Sequence, residues 1–427
     1  MTVHFELAAP PPGFVDDPYP TYARLREEAP VHFQPDGSAI VSRHATLEAI
    51  YRDTTAFSSD KRAAFAPVFG EGSALYRHHT TSLVFNDPPL HTRVRRILVG
   101  ALTPRAIARL EPGLVATVDA LLDELAPRLA AGEAVDLVAD FAARVPLAVI
   151  GDLFDMPPGE RGPLRDWSLA ILGALEPAPD AAALARGEAA VEAFGAYLAE
   201  LAAKRRERPG DPETDVLTRL QAGRDDAEAL DGATLVENSI FLLNAGHETT
   251  TNLIGSALEL LERHPGERAR LAAAGTVPTS AVDEWLRVES PNQLGNRRAV
   301  REAVLDGTRV AAGTNLHLCI GAANRDPRAF DAPDEMRTDR SPNRHLAFAG
   351  GPHVCLGLSL ARLEARVAVE RLLARFPDYR TVARERSARL RFRGFSRLLA
   401  VTGPEAPQAG PPRGEASANG GESPCSS

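Results

Sequence analysis

Cysteine is nearly absent: the 427 residues hold three, Cys319, Cys355 and Cys425. An odd number without paired spacing argues against a disulfide framework and leaves too few thiolates for a structural zinc site. Lysine occurs only at Lys61 and Lys204, so the basic charge is almost all arginine. Acids outnumber bases, giving a formal net charge of −9 and a pI of about 5.7. Such a chain lacks the basic face that phosphate neutralisation needs, so no nucleic-acid partner is expected. No apolar run reaches the ~18 residues of a membrane span, so no membrane partner is expected either. The amino terminus, MTVHFELAAPPPGFVDDPYP, has no basic stretch followed by an apolar one, which makes the cytoplasm the expected location.

What is present suits a globular chain with a large core: 44% hydrophobic and 25% charged residues, with a mean hydropathy of −0.17. Residues 116–132, 189–210 and 358–376 place apolar side chains at three- and four-residue spacing with charge opposite, the period of amphipathic helices. Strand signals are fewer. PVHFQPDGSAIVS predicts a hairpin around Asp36 and Gly37, and residues 297–320 predict two short strands around Asp306 and Gly307. The fold class expected is mainly α with small β-sheets (α+β). No internal repeat and no interior linker divides the chain, so residues 1–402 read as one domain. From Gly403 onward the Pro/Gly/Ser-rich composition cannot bury enough apolar surface to offset its ordering entropy, and residues 403–427 read as a disordered tail carrying Cys425.

FAGGPHVCLG, residues 348–357, spends one of the scarce cysteines among glycines. A free cysteine is most often a small buried hydrophobe, and otherwise a nucleophile, redox centre or metal ligand. Here a periodic helix begins just after Cys355, and a helix amino terminus favours an anionic sulfur by roughly 0.3–1 kcal/mol. Gly350, Gly351 and Gly357 leave bare backbone that suits a broad flat ligand pressed against the loop.

This stretch resembles the haem-binding signature FGxGxHxCxG of the cytochrome P450 superfamily, with Phe348, Gly351, His353, Cys355 and Gly357 matching and Ala349 replacing the usual glycine. Further stretches resemble the same family in the same chain order. EWLR carries Glu284 and Arg287 at the spacing of the ExxR motif, whose partner arginine in the downstream meander would be Arg340, although Glu335, Met336 and Arg337 depart from the usual meander residues. FLLNAGHETTT lies in a helix expected from about Asp231 to Arg263. On one face it carries Phe241, Asn244, Ala245, Glu248 and Thr249, where a plain core helix would carry leucine or valine. The zinc motif HExxH fails there because Thr251 stands where the second histidine belongs. NDPPLHTRVRR places His91 and Arg95 one helical turn apart. GAANRDP, residues 321–327, matches a segment that precedes the meander and adds topology alone.

The resemblance implies a P450 fold binding haem b (iron protoporphyrin IX), with Cys355 as the axial iron ligand. It implies His91, Arg95, Arg297 and His353 around the propionates, Ala245 and Gly246 leaving room for O2, and Glu248 with Thr249 delivering protons. Phe241, Asn244 and Leu294 would meet a small apolar substrate, with residues 61–85, 165–195, 294–296 and 395–397 as lining segments. A thiolate ligand pushes electron density onto iron and favours O–O cleavage, so the implied activity is a monooxygenase that hydroxylates or epoxidises. Three cysteines cannot build a plant-type ferredoxin cluster, so electrons are expected from a separate ferredoxin and ferredoxin reductase, docking near Arg344, Arg362 and Arg366. Two rivals remain: peroxide-driven or non-oxygenating chemistry on the same scaffold, and a haem-binding sensor or carrier without turnover.

Overall fold

The computed structural model describes residues 3–222 and 230–403, the side chains of residues 101 and 222 excepted. Apart from Gly403, the expected tail lies outside the described residues, and Cys425 with it. The structure is 55% helical with small sheets, as the periodicities require.

The helix Gly232–Arg263 organises the rest, and we call it the central helix. Its start follows from local chemistry, since the Asp231 carboxylate accepts a hydrogen bond from the Thr234 N–H at 2.7 Å and caps the first turn. Its carboxyl-terminal half, from Leu253 to Leu261, is apolar nearly all round and fully buried, the pattern of a helix enclosed by others. Around it pack the helices Pro104–Ala130, Arg144–Leu153, Leu164–Gly173, Ala181–Glu207, Thr279–Val288 and Leu358–Arg375, which share one hydrophobic core. The helix expected over 116–132 begins earlier, at Pro104, and runs through Pro112. Packing of Leu114, Val118, Leu121 and Leu125 in that core outweighs the hydrogen bond that Pro112 cannot make.

Among the described residues ten short strands form the β part: β1 (Val31–Phe33), β2 (Ala39–Val41), β3 (Phe57–Ser58), β4 (Val135–Asp136), β5 (Leu294–Ala299), β6 (Ala303–Leu305), β7 (Thr308–Val310), β8 (Asn315–Cys319), β9 (Arg380–Arg386) and β10 (Phe395–Val401). The largest sheet has the order β1-β2-β8-β5-β3, with β2 and β8 parallel; β4, β10 and β9 form a second sheet, and β6 with β7 a third. Both expected hairpins are present, β1–β2 and β6–β7. Asp306 and Gly307 both have positive φ, 46° and 78°, the type I′ geometry that Asp-Gly favours. Residues 297–320, expected to hold two strands, contribute to four, because β5 and β8 also pair with each other and complete the large sheet.

Candidate active site

The residues Glu284, Arg287 and Arg340 meet in a network shut off from water. Glu284 and Arg287 are both 0% exposed, one turn apart on the same face of the helix Thr279–Val288. Arg287 donates Nε to Oε2 and Nη2 to Oε1 of Glu284, each at 2.8 Å, a bidentate pair. Arg340 adds its Nε to both carboxylate oxygens at 3.1 and 3.0 Å. The remaining guanidinium N–H groups donate to the carbonyls of Asn324 and Pro333 from Arg287, of Asp331 and Ala332 from Arg340, and of Glu335 from both. Asn324 belongs to GAANRDP and carries structure as well as topology: its side-chain oxygen accepts from Leu346 N at 2.7 Å and its amide donates to Ser290. The meander and the Cys355 loop are thus tied to one buried carboxylate.

The loop itself is closed by the Cys355 N–H donating to the Phe348 carbonyl at 2.9 Å, and the Phe348 ring lies under the Arg362 guanidinium. Ala349 and Gly351 both have positive φ, 57° and 63°. The structure corrects the reason for Gly351: a Cβ there would lie 2.2 Å from the Tyr51 carbonyl oxygen, so its bareness serves packing against the helix His44–Arg52. Gly357, by contrast, has open space where a Cβ would stand. Burial pushes the Cys355 thiol up from 9.0 and outweighs the Gly357 N–H, Arg95 and Arg362, which act the other way. The helix terminus alone therefore does not make the thiolate; a coordinated cation would, since a metal deprotonates the thiol it binds.

Beside the loop the structure gathers His91, Arg95, Arg297 and His353. The His91 and His353 rings stack with centroids 4.0 Å apart, and Ser59 Oγ lies 3.1 Å from His353 Nε2. Burial, then the positive charges of Arg297, His91 and Arg95, push His353 down to about 3; burial and Arg95 lower His91. His91 is buried with neither ring nitrogen hydrogen-bonded, and Arg297, 5% exposed, has Nε and Nη2 without partners. Buried donors of this kind require acceptors. Two carboxylates of a bound haem would supply them, so the residues present fit the group.

The central helix carries the other chemistry. Ala245 is exposed and Phe241, Gly246 and Thr249 partly so, while Leu243, Asn244, His247 and Glu248 are buried. Residues 241, 245 and 249 stand one turn apart, so they mark one accessible stripe along an otherwise enclosed helix. The Thr249 hydroxyl donates to the Ala245 carbonyl at 2.7 Å. Glu248 accepts from Asn252 Nδ2 and Arg389 Nη1, each at 3.4 Å, and burial raises its pKa above 4.5 against the pull of Arg389. Asn244 is 2% exposed with both amide atoms unpaired.

Two expectations change. Leu294 packs with Phe5, Phe14, Tyr22, Ile40 and Cys319 in the amino-terminal cluster. Strand side chains alternate between faces, so in β5 Leu294 points opposite to Arg297 and away from His91 and His353. Of the arginines expected to dock a redox partner, Arg362 is paired with Asp283 at 2.7 Å and Arg366 with Glu111, while Arg344 is exposed. Sequence reading missed Asn252, although its i,i+4 spacing from Glu248 was available. It also missed Arg389, whose partner lies 141 residues away and which no local signal marks.

The family model described as Cytochrome P450 matches residues 277–379. Cytochrome P450 107B1 of Saccharopolyspora erythraea is 35% identical over 412 residues, covering 92% of this chain and 97% of its own. Two solved structures are similar along their length. P450BioI, in complex with an acyl carrier protein ligated to hexadec-9Z-enoic acid, has a TM-score of 0.85 at 31% identity, covering 91% of this chain and 99% of its own. Myxobacterial CYP267B1, in complex with myristic acid, has a TM-score of 0.83 at 34% identity, with coverage of 92% and 98%. The chain belongs to the cytochrome P450 family. It is an oxidoreductase of the haem-thiolate monooxygenase class, which uses O2 and redox partners. No helix of the described residues is long and apolar enough to cross a membrane.

Proposed function

We propose that this enzyme inserts one oxygen atom of O2 into an apolar small molecule, by hydroxylation or epoxidation, using haem b and electrons from a separate ferredoxin and its reductase. The observation that carries the reading is the set of buried, unpartnered donors on His91 and Arg297 beside the Cys355 loop. Cys355 would hold the iron, and His91, Arg95, Arg297 and His353 the propionates. When bound, the haem supplies activation of O2.

The chain's own residues supply position and protons. Ala245 keeps the accessible stripe free of bulk and Phe241 gives it an apolar wall, while Gly246 makes room for Ile150, which a Cβ there would meet at 3.0 Å. The Thr249 hydroxyl, with its hydrogen directed to the Ala245 carbonyl, keeps its oxygen lone pairs for an incoming donor. Glu248, its pKa raised by burial, holds a proton more readily than a solvated carboxylate, and Asn252 and Arg389 fix the oxygen they share. Asn244 offers an unspent amide to a polar group of the substrate. The fatty acid on CYP267B1 and the fatty acyl chain presented to P450BioI support an apolar substrate here.

The test is the absorbance spectrum of the reduced, carbon monoxide-exposed protein beside Cys355→Ala, followed by electron-dependent O2 consumption with ferredoxin and reductase. A strongly red-shifted Soret band that disappears in the variant, with product formed from O2, is the expected result. A band indifferent to the substitution would sink the assignment of Cys355.

A further inference from the structure

We propose that Lys61 and Arg391 form a second anion site, distinct from the propionate cradle, which takes the carboxylate of an amphipathic substrate. The inference rests on the monooxygenase reading above and narrows its substrate class to carboxylic acids with an apolar body.

Lys61 precedes the helix Arg62–Phe69 and is 3% exposed, yet its ammonium makes no hydrogen bond or ion pair among the described residues. The adjacent Asp60 carboxylate is engaged by Arg62 at 2.5 Å. Burial, then the positive charges of Arg297, Arg391 and Arg298, push the pKa of Lys61 down to about 7 against the pull of Asp60. Arg391, 9% exposed, is held by neutral groups: Nε donates to the Leu175 carbonyl at 2.9 Å and Nη1 to the Leu294 carbonyl at 2.7 Å. The Asn296 side-chain oxygen, turned to satisfy its neighbours, accepts from Arg391 at 2.9 and 3.3 Å. The acid that acts on Arg391, Glu176, spends one oxygen on the backbone N–H groups of Leu390 and Arg391, while its other oxygen is buried without a partner and makes no ion pair with Arg391. Arg298 Nε has no partner. His317, paired with Asn296 across β5 and β8, is held neutral, its pKa pushed down to about 3 by burial, Arg391 and Lys61.

Clustered buried cations are costly where the acids near them, here Asp60, Asp87 and Glu176, make no ion pair with them, and an arriving anion lowers that cost. A bound haem brings two carboxylates, for which His91, Arg95, Arg297 and His353 are at hand. Lys61 and Arg391 remain. One turn after Lys61 the helix Arg62–Phe69 carries an aromatic cluster, with the Phe65 ring 5.1 Å from both Phe69 and Phe85 and 5.7 Å from His79. A cationic end beside an aromatic wall matches a carboxylate head on an apolar body.

The test is calorimetric titration of the purified holoenzyme with dodecanoate and with dodecan-1-ol. The acid is expected to bind tighter by roughly tenfold to a hundredfold, the scale of a charge-assisted hydrogen bond. Lys61→Met should erase that preference with haem content unchanged, and Lys61→Arg should restore most of it. Equal affinities in the unmodified protein, or a preference surviving in Lys61→Met, would overturn the site. So would loss of haem from Lys61→Met, since Lys61 would then serve a propionate. The reduced carbon monoxide spectrum of the same samples decides the haem-thiolate reading separately: a missing red-shifted band overturns that reading, whereas a normal band without an acid preference overturns only the anion site.

Discussion

The charges at Glu284 and those at Lys61 and Arg297 are equally remote from water, yet they are managed in opposite ways. Around Glu284 every guanidinium nitrogen of Arg287 and Arg340 has an acceptor within the chain. Around Arg297 and Lys61 cations cluster, and donors on His91 and Arg297 have none. The first region is completed by the protein and therefore builds it. The second lacks that completion, which suits it to the anionic ligands proposed for it. Because an unpaired buried charge is destabilising, the binding region holds in reserve a cost that its ligands remove.

The comparison breaks most visibly at Glu284. Glu284→Ala leaves two guanidinium groups buried without their carboxylate, and urea unfolding should register a loss of about 3–5 kcal/mol. Arg297→Leu removes a charge that has no ion-pair partner and is held by the Asn296 carbonyl and the face of Tyr51, so it should lower haem retention while leaving the unfolding of the haem-free chain nearly unchanged. Equal destabilisation by the two substitutions would abolish the distinction.

Thr249→Ala should keep haem and fold but lower product formation by about 100-fold, the low end of a positioned proton donor, with reducing equivalents appearing as peroxide. Product formed in step with electrons consumed would refute the role given to Thr249.

Glu364 sharpens the comparison as a buried acid that the chain leaves without a compensating charge. It lies in the helix Leu358–Arg375 with Oε2 unpaired, and burial raises its pKa from 4.5 to about 8. Between those values the native state binds more protons than the unfolded chain, so stability falls as pH rises from about 5 to about 8. Glu364→Gln should flatten that slope in denaturation curves taken across the range. An unaltered slope would assign it to other groups.

The smallest effect is expected at Ala349, whose φ of 57° a glycine adopts without strain. Ala349→Gly should raise stability by about 1 kcal/mol, the cost of one left-handed residue, read as a higher thermal midpoint. A lower midpoint would mean that the alanine methyl contributes more packing than its backbone costs.

Much of the site was legible because its chemistry is written at short range. Glu284 with Arg287, His91 with Arg95, and the stripe through Ala245 and Thr249 all follow from helical spacing, which the sequence displays directly. Leu294 was misplaced because a short strand gives no absolute phase: only its pairing with Cys319 in β8, within the amino-terminal cluster, shows which face it occupies. Gly351 was assigned to the right loop for the wrong neighbour, because the Tyr51 carbonyl it accommodates comes from a helix some 300 residues earlier.

By itself, then, the amino-acid sequence determined the helical fold class and the family and nominated the residues of the proposed reaction centre, since periodicity and motif spacing encode geometry within a turn or a loop. Tertiary structure alone decided which buried charges find partners. Arg389 reaching Glu248, Arg340 closing on Glu284, and Lys61 left among arginines are outcomes of packing between distant segments, and charge compensation in a low-dielectric interior depends on distances in space that no local pattern records.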